Sequence, residues 1–492
     1  MTPRSPHCST APRRYSASGL QRYAPPLGIA ALGAAVLVAL GGCSSTPPYQ
    51  RPVAPVPGSW SGAPAPSPAA AQDLAALRAD WRGFIREPAL QALVERALAH
   101  NRDVRIATIT VEQVRAAYGV RRADRLPTIN LAATGQRQPA TGPDPSSKIS
   151  STYTAGLAMA SWELDFFGRV AALTETAQAQ YLASAEARRA AQVSVVAAVA
   201  STWLALQSDD ALLSLARKTL ASREDSLRLV RLRAAHGAAS DLDLRGAQTL
   251  VEAARVNLAQ QERARALDLH ALALLVGEPV DDVVSAAAAA DAPFPALPAN
   301  LPSEVLLQRP DILAAEQQLI AANANIGATR AAFFPRITLT ASAGSASSAL
   351  SGLLKSGSWG WTLAPQALLP IFDAGRNQAN LAAAQATRDI AVAQYEKAIQ
   401  TAFREVADAL SSQTTLAEQL RAAEAQLQAQ AELARLVDLR VASGVASSLD
   451  QLDAQRALLA AQQQVEQTRL AWRQSQVALF KALGGGAGAA NP

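Results

Sequence analysis

The sequence has little charge, sulfur or imidazole. Only 17% of its 492 residues are charged and 5% are aromatic, and it contains two cysteines and four histidines. Both cysteines, Cys8 and Cys43, lie near the N-terminus, and neither they nor the histidines have the spacing of a metal site. No serine lies in a nucleophile-elbow motif. The sequence therefore predicts no metal site and no enzyme active site.

The charge that is present is nearly balanced. Of the formal net charge of +5, four charges arise in residues 1–42, which contain four arginines and no acidic residue, whereas the remaining residues contain 41 basic and 40 acidic side chains. Proteins that bind nucleic acid carry a basic surface that neutralises phosphates, so we expect no nucleic-acid partner. Hydrophobic residues make up 49% of the chain and alanine dominates them, which favours long, closely packed helices.

Residues 1–42 have the pattern of a secretory signal peptide. Arg13, Arg14 and Arg22 precede an apolar stretch of 15 residues, Gly28 to Gly42, which is too short to span a bilayer as a helix. The stretch ends in Leu40-Gly41-Gly42-Cys43, which resembles a bacterial lipobox. We therefore expect a covalent lipid on Cys43 and no other cofactor, with a plain signal peptide and an incidental cysteine as the alternative.

The residues after Cys43 predict the membrane to which the lipoprotein is sorted and the linker that follows the lipid. Ser44 and Ser45 follow the cysteine, and lipoproteins without aspartate at this point are generally sorted to the outer membrane. Residues 44–71 are rich in proline, serine and alanine, a composition typical of an extended linker between an anchor and a folded body. Residues 43–87 are therefore assigned to a lipid-anchored linker and equatorial segment.

The rest of the chain is an internal duplication. Residues 103–131 align with residues 311–339 at a constant offset of 208, and the glycines at 168, 237 and 277 recur 207 positions later. The duplication divides the chain into four segments: repeat 1 at 88–277, a proline-rich joint at 278–302, repeat 2 at 303–484 and a flexible tail at 485–492.

Each repeat contains a long stretch without glycine or proline. Residues 169–236 and 376–443 are 68 residues each, and as single helices they would extend about 100 Å. Their apolar residues recur every seven positions, which is typical of helices that supercoil around neighbours. Gly237 and Gly444 mark the sharp turns after them. Shorter predicted helices precede or follow the long ones, at 88–125, 238–276 and 445–483.

Two β segments precede each long helix, at about 127–167 and 335–372. Apolar and polar residues alternate along them, and Tyr153, Trp359 and Trp361 are candidate aromatic residues of a membrane interface. The pattern alone fits a soluble β-sandwich equally well. Four strands cannot close a barrel that spans lipid, so a barrel requires an oligomer, and three chains would supply twelve strands.

Several strings of residues resemble one known family. They include Arg309-Pro310-Asp311-Ile312, Arg330-Ala331-Ala332-Phe333-Phe334-Pro335 and Pro370-Ile371-Phe372-Asp373-Ala374-Gly375-Arg376. These strings resemble the outer-membrane factor (TolC-like) family and, within it, the NodT/OprM-type efflux lipoprotein branch. The resemblance covers nearly the whole chain after Cys43.

This resemblance implies a mainly α fold with a β-barrel part. The duplicated unit would form a homotrimer in which a 12-stranded β-barrel in the bacterial outer membrane continues into a long periplasmic α-helical barrel. The implied function is the exit duct of a tripartite efflux pump, which conducts small molecules and performs no chemistry. The implied partners are a periplasmic membrane-fusion adaptor protein, an inner-membrane RND transporter and outer-membrane lipid.

The resemblance also implies a gate, because members of this family close at the turns of their periplasmic helical hairpins. It assigns Asp450, Asp453 and Asp243 to the constriction, with Leu449 as an added apolar element. Threefold symmetry would make each aspartate a ring of three carboxylates, which raises its pKa and favours cations. The alternatives are that the aspartates cap the return helices and that Leu449 packs within its hairpin.

Two positions depart from the duplication or from the family. Asp453 aligns with Gly246 of the first repeat, which makes it the first choice for a specialised role. Some relatives carry an arginine two residues after the turn glycine, where this chain has Ala446. Any closing ion pair must therefore use other partners, for which Arg440 and Arg233 are candidates.

A second hypothesis belongs to a different class of protein. The signal peptide, Cys43 and the heptads also fit a lipid-anchored periplasmic coiled-coil scaffold whose β segments never enter a bilayer. The alternating β segments with Trp359 and Trp361, together with the family strings, favour the channel.

Overall fold

The computed structural model describes residues 45–60, 81–139, 149–286, 294–295 and 301–485. The predicted signal peptide, Cys43 and the tail after residue 485 lie outside these described residues. Parts of the predicted linker and of the proline-rich joint lie outside them as well.

The two repeats share one order of elements: a helix, two strands, a long helix and a return helix. The first comprises α1 (Pro88–His100), α2 (Arg102–Ala123), β1 (Ile129–Pro139), β2 (Ile149–Leu164), α3 (Arg169–Ala235) and α4 (Asp241–Val276), followed by the short α5 (Asp281–Ala286). The second comprises a 3₁₀ turn (Ser303–Gln308), α6 (Pro310–Ala331), β3 (Arg336–Ser347), β4 (Trp359–Leu368), α7 (Arg376–Ala442) and α8 (Ser448–Ala482).

The helix that leads repeat 1 is interrupted, although the sequence predicted one helix over 88–125. Asn101 has an extended backbone, and its Oδ1 accepts the backbone N–H groups of Asp103 and Val104 at 2.8 and 3.0 Å. This side chain therefore caps α2, and Asn101 Nδ2 donates to the carbonyl of Leu275 at 2.7 Å. A capping asparagine competes with helix continuation, which explains why α1 ends at His100.

The return helices begin three residues later than predicted, at Asp241 and Ser448 rather than at 238 and 445. The long helices α3 and α7 end at Ala235 and Ala442, one residue before the predicted ends. The residues between form the turns themselves, because a serine before each return helix serves as its N-cap.

The hydrophobic core lies about half-way along the long helices, where α1, α6 and the 3₁₀ turn pack against α3 and α7. Phe84 is fully buried there and stacks between Phe294 and Phe480, with ring centroids 4.7 and 4.1 Å away. Trp203 of α3 is buried beside them and its Nε1 donates to Glu87 at 3.0 Å. One stretch of α3 is apolar and long enough to cross a membrane, but half of that stretch is buried among these helices.

The four strands form one antiparallel sheet in the order β1-β2-β3-β4. Its register aligns Leu131, Leu157, Ala343 and Trp361 in one row, so these side chains share a face that is apolar yet exposed. The opposite face is polar and its hydroxyl groups pair across strands. These pairs are Thr134 with Thr154 at 2.6 Å and Ser342 with Thr362 at 2.7 Å.

The polar face of the sheet is closely packed where the two repeats meet. Gly156 of β2 lies opposite Gly344 of β3, and a Cβ atom on either would collide with the backbone of the other strand. Only glycine fits this approach, and glycine pairs of this kind allow a sheet to bend. The close approach of these strands and the polarity of this face together suit a sheet that curls around a wet interior.

Residues 45–60, called the strap below, are extended as the composition predicted, but they are docked on the body rather than free. Ser45 Oγ donates to the carbonyl of Phe167 at 3.3 Å, at the foot of the sheet. Asn323 Nδ2 of α6 donates to the carbonyl of Pro47 at 2.8 Å. At the other end Trp60 is buried, stacks on Phe403 and donates to its carbonyl at 3.1 Å.

The middle of the strap is fixed by one buried carboxylate. Arg51 donates to both oxygens of Glu316 at 2.7 and 2.9 Å, and Tyr49 donates to the same carboxylate at 2.9 Å. The Glu316 side chain is only 6% exposed, whereas that of Arg51 is 51% exposed. The strap therefore supplies the cation that the buried Glu316 requires.

Replacing Arg51 with alanine should leave Glu316 buried and without its cation. We expect the free energy of unfolding to fall by about 2 kcal/mol, since a buried charge that loses its partner is costly. Arg435→Ala is the matched control because the Arg435–Glu432 pair is exposed on both sides, and it should change stability by about 0.5 kcal/mol or less. Denaturant unfolding of the purified protein measures both, and equal losses would contradict the assignment.

Candidate gate at the hairpin tips

Helices α3 and α4 form one hairpin, and α7 and α8 form the other. Both turns use a glycine with a left-handed backbone, Gly237 at φ 72° and Gly444 at φ 75°. The residue after each glycine donates its N–H to a carbonyl of the preceding helix, Ala238 to Arg233 at 2.7 Å and Val445 to Arg440 at 2.9 Å. The turns are therefore tight and nearly identical, as the duplication predicts.

Two of the predicted gate residues cap the return helices. The Oδ2 atom of Asp450 accepts the N–H and the hydroxyl of Ser447 at 2.9 and 2.7 Å, and Asp243 does the same with Ser240 at 3.1 and 2.7 Å. Each serine Oγ in turn accepts the aspartate N–H, which completes a capping box. The capping role, which the sequence offered as the alternative, is thus present in the protomer for both residues.

The capping bonds also determine the charge of these two carboxylates. Hydrogen bonds from Ser240 lower the pKa of Asp243, and those from Ser447 lower the pKa of Asp450, with a smaller contribution from Arg440. This direction is opposite to the rise expected for a ring of like charges. Within a protomer both aspartates are therefore firmly ionised.

Asp453 differs from the other two because, among the described residues, its carboxylate accepts no hydrogen bond from a backbone group. Its carboxylate pairs with Arg456 Nη1 at 3.1 Å on the same helix, and its side chain is 62% exposed. Such a pair between neighbouring turns of a helix is weak and leaves the carboxylate open to solvent. Of the three predicted gate aspartates, Asp453 is the one most available to a substrate or a neighbouring chain.

Leu449 projects from the first turn of α8 and is exposed within the protomer, as is Leu242, its counterpart in the first repeat. Neither leucine packs inside its own hairpin, so that alternative does not apply in the single chain. Leu242 was not among the predicted gate residues, although the duplication aligns it with Leu449.

Sequence reasoning missed two contacts that connect the helices near the tips. Gln451 Nε2 donates to Asp438 Oδ1 at 2.8 Å, which joins α8 to α7 within one hairpin. Arg223 of α3 donates to Gln455 Oε1 of α8, which joins the two hairpins. Sequence periodicity predicts that these helices pack, but it does not identify which polar side chains meet.

The three predicted interface aromatics lie on the apolar face of the sheet. Trp359 and Trp361 are exposed on β4, and Tyr153 of β2 covers Gly135 of β1. They lie toward the end of the sheet that is remote from the helices. The helical end has its own aromatic, Trp162 of β2, which the sequence analysis missed; it is nine residues, or roughly 30 Å of strand, from Tyr153.

Midway along the helices two carboxylates face each other. Asp209 of α3 lies against Asp268 of α4, and Asp209 Oδ2 is buried without a hydrogen-bond donor. Burial, and next the charge of Asp268, raise the pKa of Asp209 to about 6, although Arg265 opposes the shift. Asp210, which also raises it, is bound to Arg265 at 2.5 Å.

Comparison with known proteins gives a direct result. The model of the family described as outer membrane efflux protein matches residues 93–278 and 301–485, which are the two repeats. The chain belongs to the outer membrane efflux protein family. Membership confirms the resemblance found in the sequence, places the chain in the outer membrane and gives it a role in efflux.

Curated relatives agree along nearly their full length. The chain is 45% identical over 454 residues to a probable efflux pump outer membrane protein, TtgC of Pseudomonas putida, covering 91% of this chain and 93% of the relative. It is 45% identical over 469 residues to the outer membrane protein OprJ of Pseudomonas aeruginosa, covering 94% and 96%.

Solved structures confirm the predicted fold class. A membrane protein from Pseudomonas aeruginosa matches with a TM-score of 0.84 at 43% identity, over 91% of this chain and 99% of that one. The open state of the MtrE outer membrane channel of Neisseria gonorrhoeae matches with a TM-score of 0.80 at 37% identity, over 91% and 99%. The channel hypothesis is therefore favoured over the scaffold.

The Asp209–Asp268 contact predicts a pH dependence of stability. The folded pKa of Asp209 is above its ordinary value, so folding favours the protonated form, and the chain loses stability as the pH rises from about 4 to about 6. Asp209→Asn cannot ionise and can donate to Asp268, so its thermal midpoint should exceed that of the unmodified protein at pH 7.5 by more than it does at pH 4.5.

The matched control for this measurement is Asp225→Asn, because Asp225 is exposed and pairs with Arg228 on its own helix. Its effect on the thermal midpoint should not grow with pH. A pH-independent effect of Asp209→Asn would show that folding does not raise the pKa of Asp209.

Proposed function

We propose that this chain is the outer-membrane exit duct of a tripartite efflux pump, gated at the hairpin tips. It conducts small molecules passively to the exterior and catalyses no reaction. The observation that carries this proposal is geometric. The two repeats of a protomer meet through the pairing of β2 with β3 and through the packing of α6 on α3, and at the edges of the protomer the equivalent elements have no such neighbour. Identical copies that supply those neighbours close into a ring.

The sheet gives the first such contact. Within a repeat β1 pairs with β2 and β3 with β4, and the repeats are joined by β2 pairing with β3. The equivalent pairing of β4 with a following β1 requires another chain. An open sheet edge is not tolerated in a bilayer, because its N–H and C=O groups would lack partners.

The helices give the second contact of this kind between the repeats. Helix α6 packs between α7 of its own repeat and α3 of the other, whereas its counterpart α2 packs mainly on α3. Helix α2 consequently exposes Ile106, Ile109 and Val120, each more than half accessible. In a ring this face would contact α7 of the neighbouring copy. Three copies give twelve strands and a homotrimer, as the family resemblance implies.

The strap supports the lipid anchor on Cys43. Ser45 is fixed beside Phe167, where the sheet meets α3, and Cys43 precedes it by only two residues. Acyl chains attached there would start within roughly 7 Å of the foot of the sheet. That is the level at which a barrel leaves the periplasmic leaflet, so lipid and barrel would enter the same membrane.

A role as the exit duct of a tripartite pump requires two partner proteins. We assign a periplasmic membrane-fusion adaptor and an inner-membrane RND transporter to this duct, since relatives such as TtgC are named as the outer membrane proteins of efflux pumps. The long helical hairpins, 67 residues in α3 and in α7, extend about 100 Å and suit a bridge across much of the periplasm.

The gate is assigned to a ring of Asp453 carboxylates, with Leu449 as an apolar constriction beside it. Asp453 carries this role because it is exposed and bound only by Arg456 of its own helix. Asp243 and Asp450 contribute by fixing the start of the return helices, and their ionised carboxylates add to the negative field. A negative constriction of this kind favours cations.

Single-channel recording in planar bilayers tests the duct and the gate. The unmodified protein should give small, cation-selective currents, and Asp453→Ala should raise the time-averaged current and reduce the cation preference, because a ring of three charges is lost. Asp225→Ala is the matched control: Asp225 is also 62% exposed and also pairs with an arginine three residues later, but on α3.

The outcomes separate the alternatives. Currents that Asp453→Ala leaves unchanged would keep the duct and move the gate to Asp450 or Leu449. Absence of current from folded trimers would favour the scaffold, and release of Cys43→Ser protein into the soluble fraction would support that reading, because loss of the lipid alone should not extract a barrel.

A further inference from the structure

A cleft opens at the foot of the sheet, between the end of α2 and the start of α3. Its volume is about 390 Å³, which is within the range of pockets that hold small ligands. The walls of this cleft, which we call the foot cleft, include Arg125, Trp162, Glu163, Leu164, Asp165 and Phe166. None of these residues belongs to the candidate gate, which lies at the hairpin tips.

The apolar wall of the foot cleft continues the apolar face of the sheet. Trp162 pairs opposite Leu339, which lies four residues before Ala343 on that face. Phe166 follows just after β2 and is 40% exposed. Because the chain lies in the outer membrane, its exposed apolar sheet face is the surface suited to lipid. The foot cleft therefore lies where the bilayer gives way to the periplasmic helices, a level at which tryptophan is enriched in membrane proteins.

The foot cleft carries a cation that the chain leaves exposed. Its carboxylates are bound: Glu163 accepts from Arg169 at 2.8 and 2.6 Å and pairs with Arg336 at 2.7 Å. Asp165 Oδ2 accepts a backbone N–H group in the first turn of α3 at 2.7 Å. The guanidinium of Arg125 is exposed and has neither a hydrogen bond nor an ion pair with any described residue. The cleft is therefore suited to an anion at Arg125.

A phosphate group is the anion that a membrane boundary supplies. A guanidinium binds phosphate oxygens through two parallel hydrogen bonds, and such charge-assisted bonds are strong. Basic pockets beside membrane-spanning segments recognise lipid headgroups in this way. The chain's own lipid is a poorer occupant, because the diacylglyceryl group expected on Cys43 carries acyl chains and no phosphate.

The second repeat does not repeat this combination of a cation and aromatic rings. The aligned residues that differ are Arg125 with Phe333, Trp162 with Leu369, and Phe166 with Asp373. These three positions of the second repeat contain no cation, and a carboxylate stands where the first repeat has an aromatic ring. We therefore expect one site in each chain rather than two.

We propose that the foot cleft of each chain binds one phospholipid of the periplasmic leaflet and prefers an anionic one. Arg125 binds the phosphate, while Trp162 and Phe166 contact the glycerol and the first carbons of the acyl chains. A headgroup without a cation of its own leaves the phosphate to Arg125, so phosphatidylglycerol is preferred to phosphatidylcholine. This inference rests on location in the outer membrane and is independent of the proposed gate.

Native mass spectrometry of the purified protein in a non-ionic detergent, with phosphatidylglycerol or phosphatidylcholine added, tests this inference. The unmodified protein should retain one tightly bound phosphatidylglycerol per chain. Arg125→Gln should weaken this binding about tenfold or more and abolish the preference for phosphatidylglycerol, because a charged donor is lost. Arg125→Lys keeps the charge and should keep the preference.

Two further variants separate the foot cleft from other causes. Arg105→Gln removes another exposed arginine, which lies in α2 roughly 30 Å from the foot of the sheet, and it should change binding by less than about twofold. Trp162→Leu introduces the residue of the second repeat. It should weaken the binding of both lipids alike, since it removes apolar contact and no charge.

Three results would overturn the inference: no tightly bound phosphatidylglycerol on the unmodified protein, equal binding by Arg125→Gln and the unmodified protein, or equal losses from Arg125→Gln and Arg105→Gln. Tight binding that appears only in Cys43→Ser protein would overturn it as well, because the chain's own acyl groups would then fill the cleft. The same spectra count the chains in each particle. A number other than three would count against the proposed ring, whereas the ratio of lipid to chain would still test the foot cleft.

Discussion

The requirement that backbone hydrogen bonds be satisfied in lipid determines the rest of this architecture. A sheet of four strands leaves β1 and β4 with unpaired edges, and a bilayer offers no water to satisfy them. The protomer therefore cannot be the functional unit. The single chain also leaves two apolar surfaces exposed. The apolar face of the sheet is suited to contact lipid, and the apolar face of α2 is suited to contact a neighbouring chain.

The duplication gives each protomer two similar repeats, and later substitutions have made the two repeats differ at single positions. Two copies of one unit give each protomer two hairpins with the same turn and the same capping box. Later divergence could then act on one copy alone. Asp453 stands opposite Gly246, Arg223 opposite Gln430, and the Asp209–Asp268 contact opposite Leu416 and Ser475. Each difference places charged side chains in one repeat where the other repeat has uncharged residues.

The sequence predicted the elements well because glycine and proline mark their ends. Helices α3 and α7 ended within a residue of the expected positions, and both β segments contained the observed strands. The break between α1 and α2 was not predicted. Asn101 caps α2 and interrupts the helix, although an asparagine two residues before Asp103 is a recognisable capping signal. Contacts between distant side chains, such as Arg223 with Gln455, depend on helix rotation and carry no signal in one sequence.

The docked strap has a consequence for the order of biogenesis. Residues 45–60 leave the ribosome and the export machinery early, yet their binding surface includes Glu316 of α6 and Phe403 of α7, which follow hundreds of residues later. The strap therefore cannot dock until the second repeat has folded. Docking of residues 45–60 is a late step of folding, although these residues are synthesised before the two repeats that bind them.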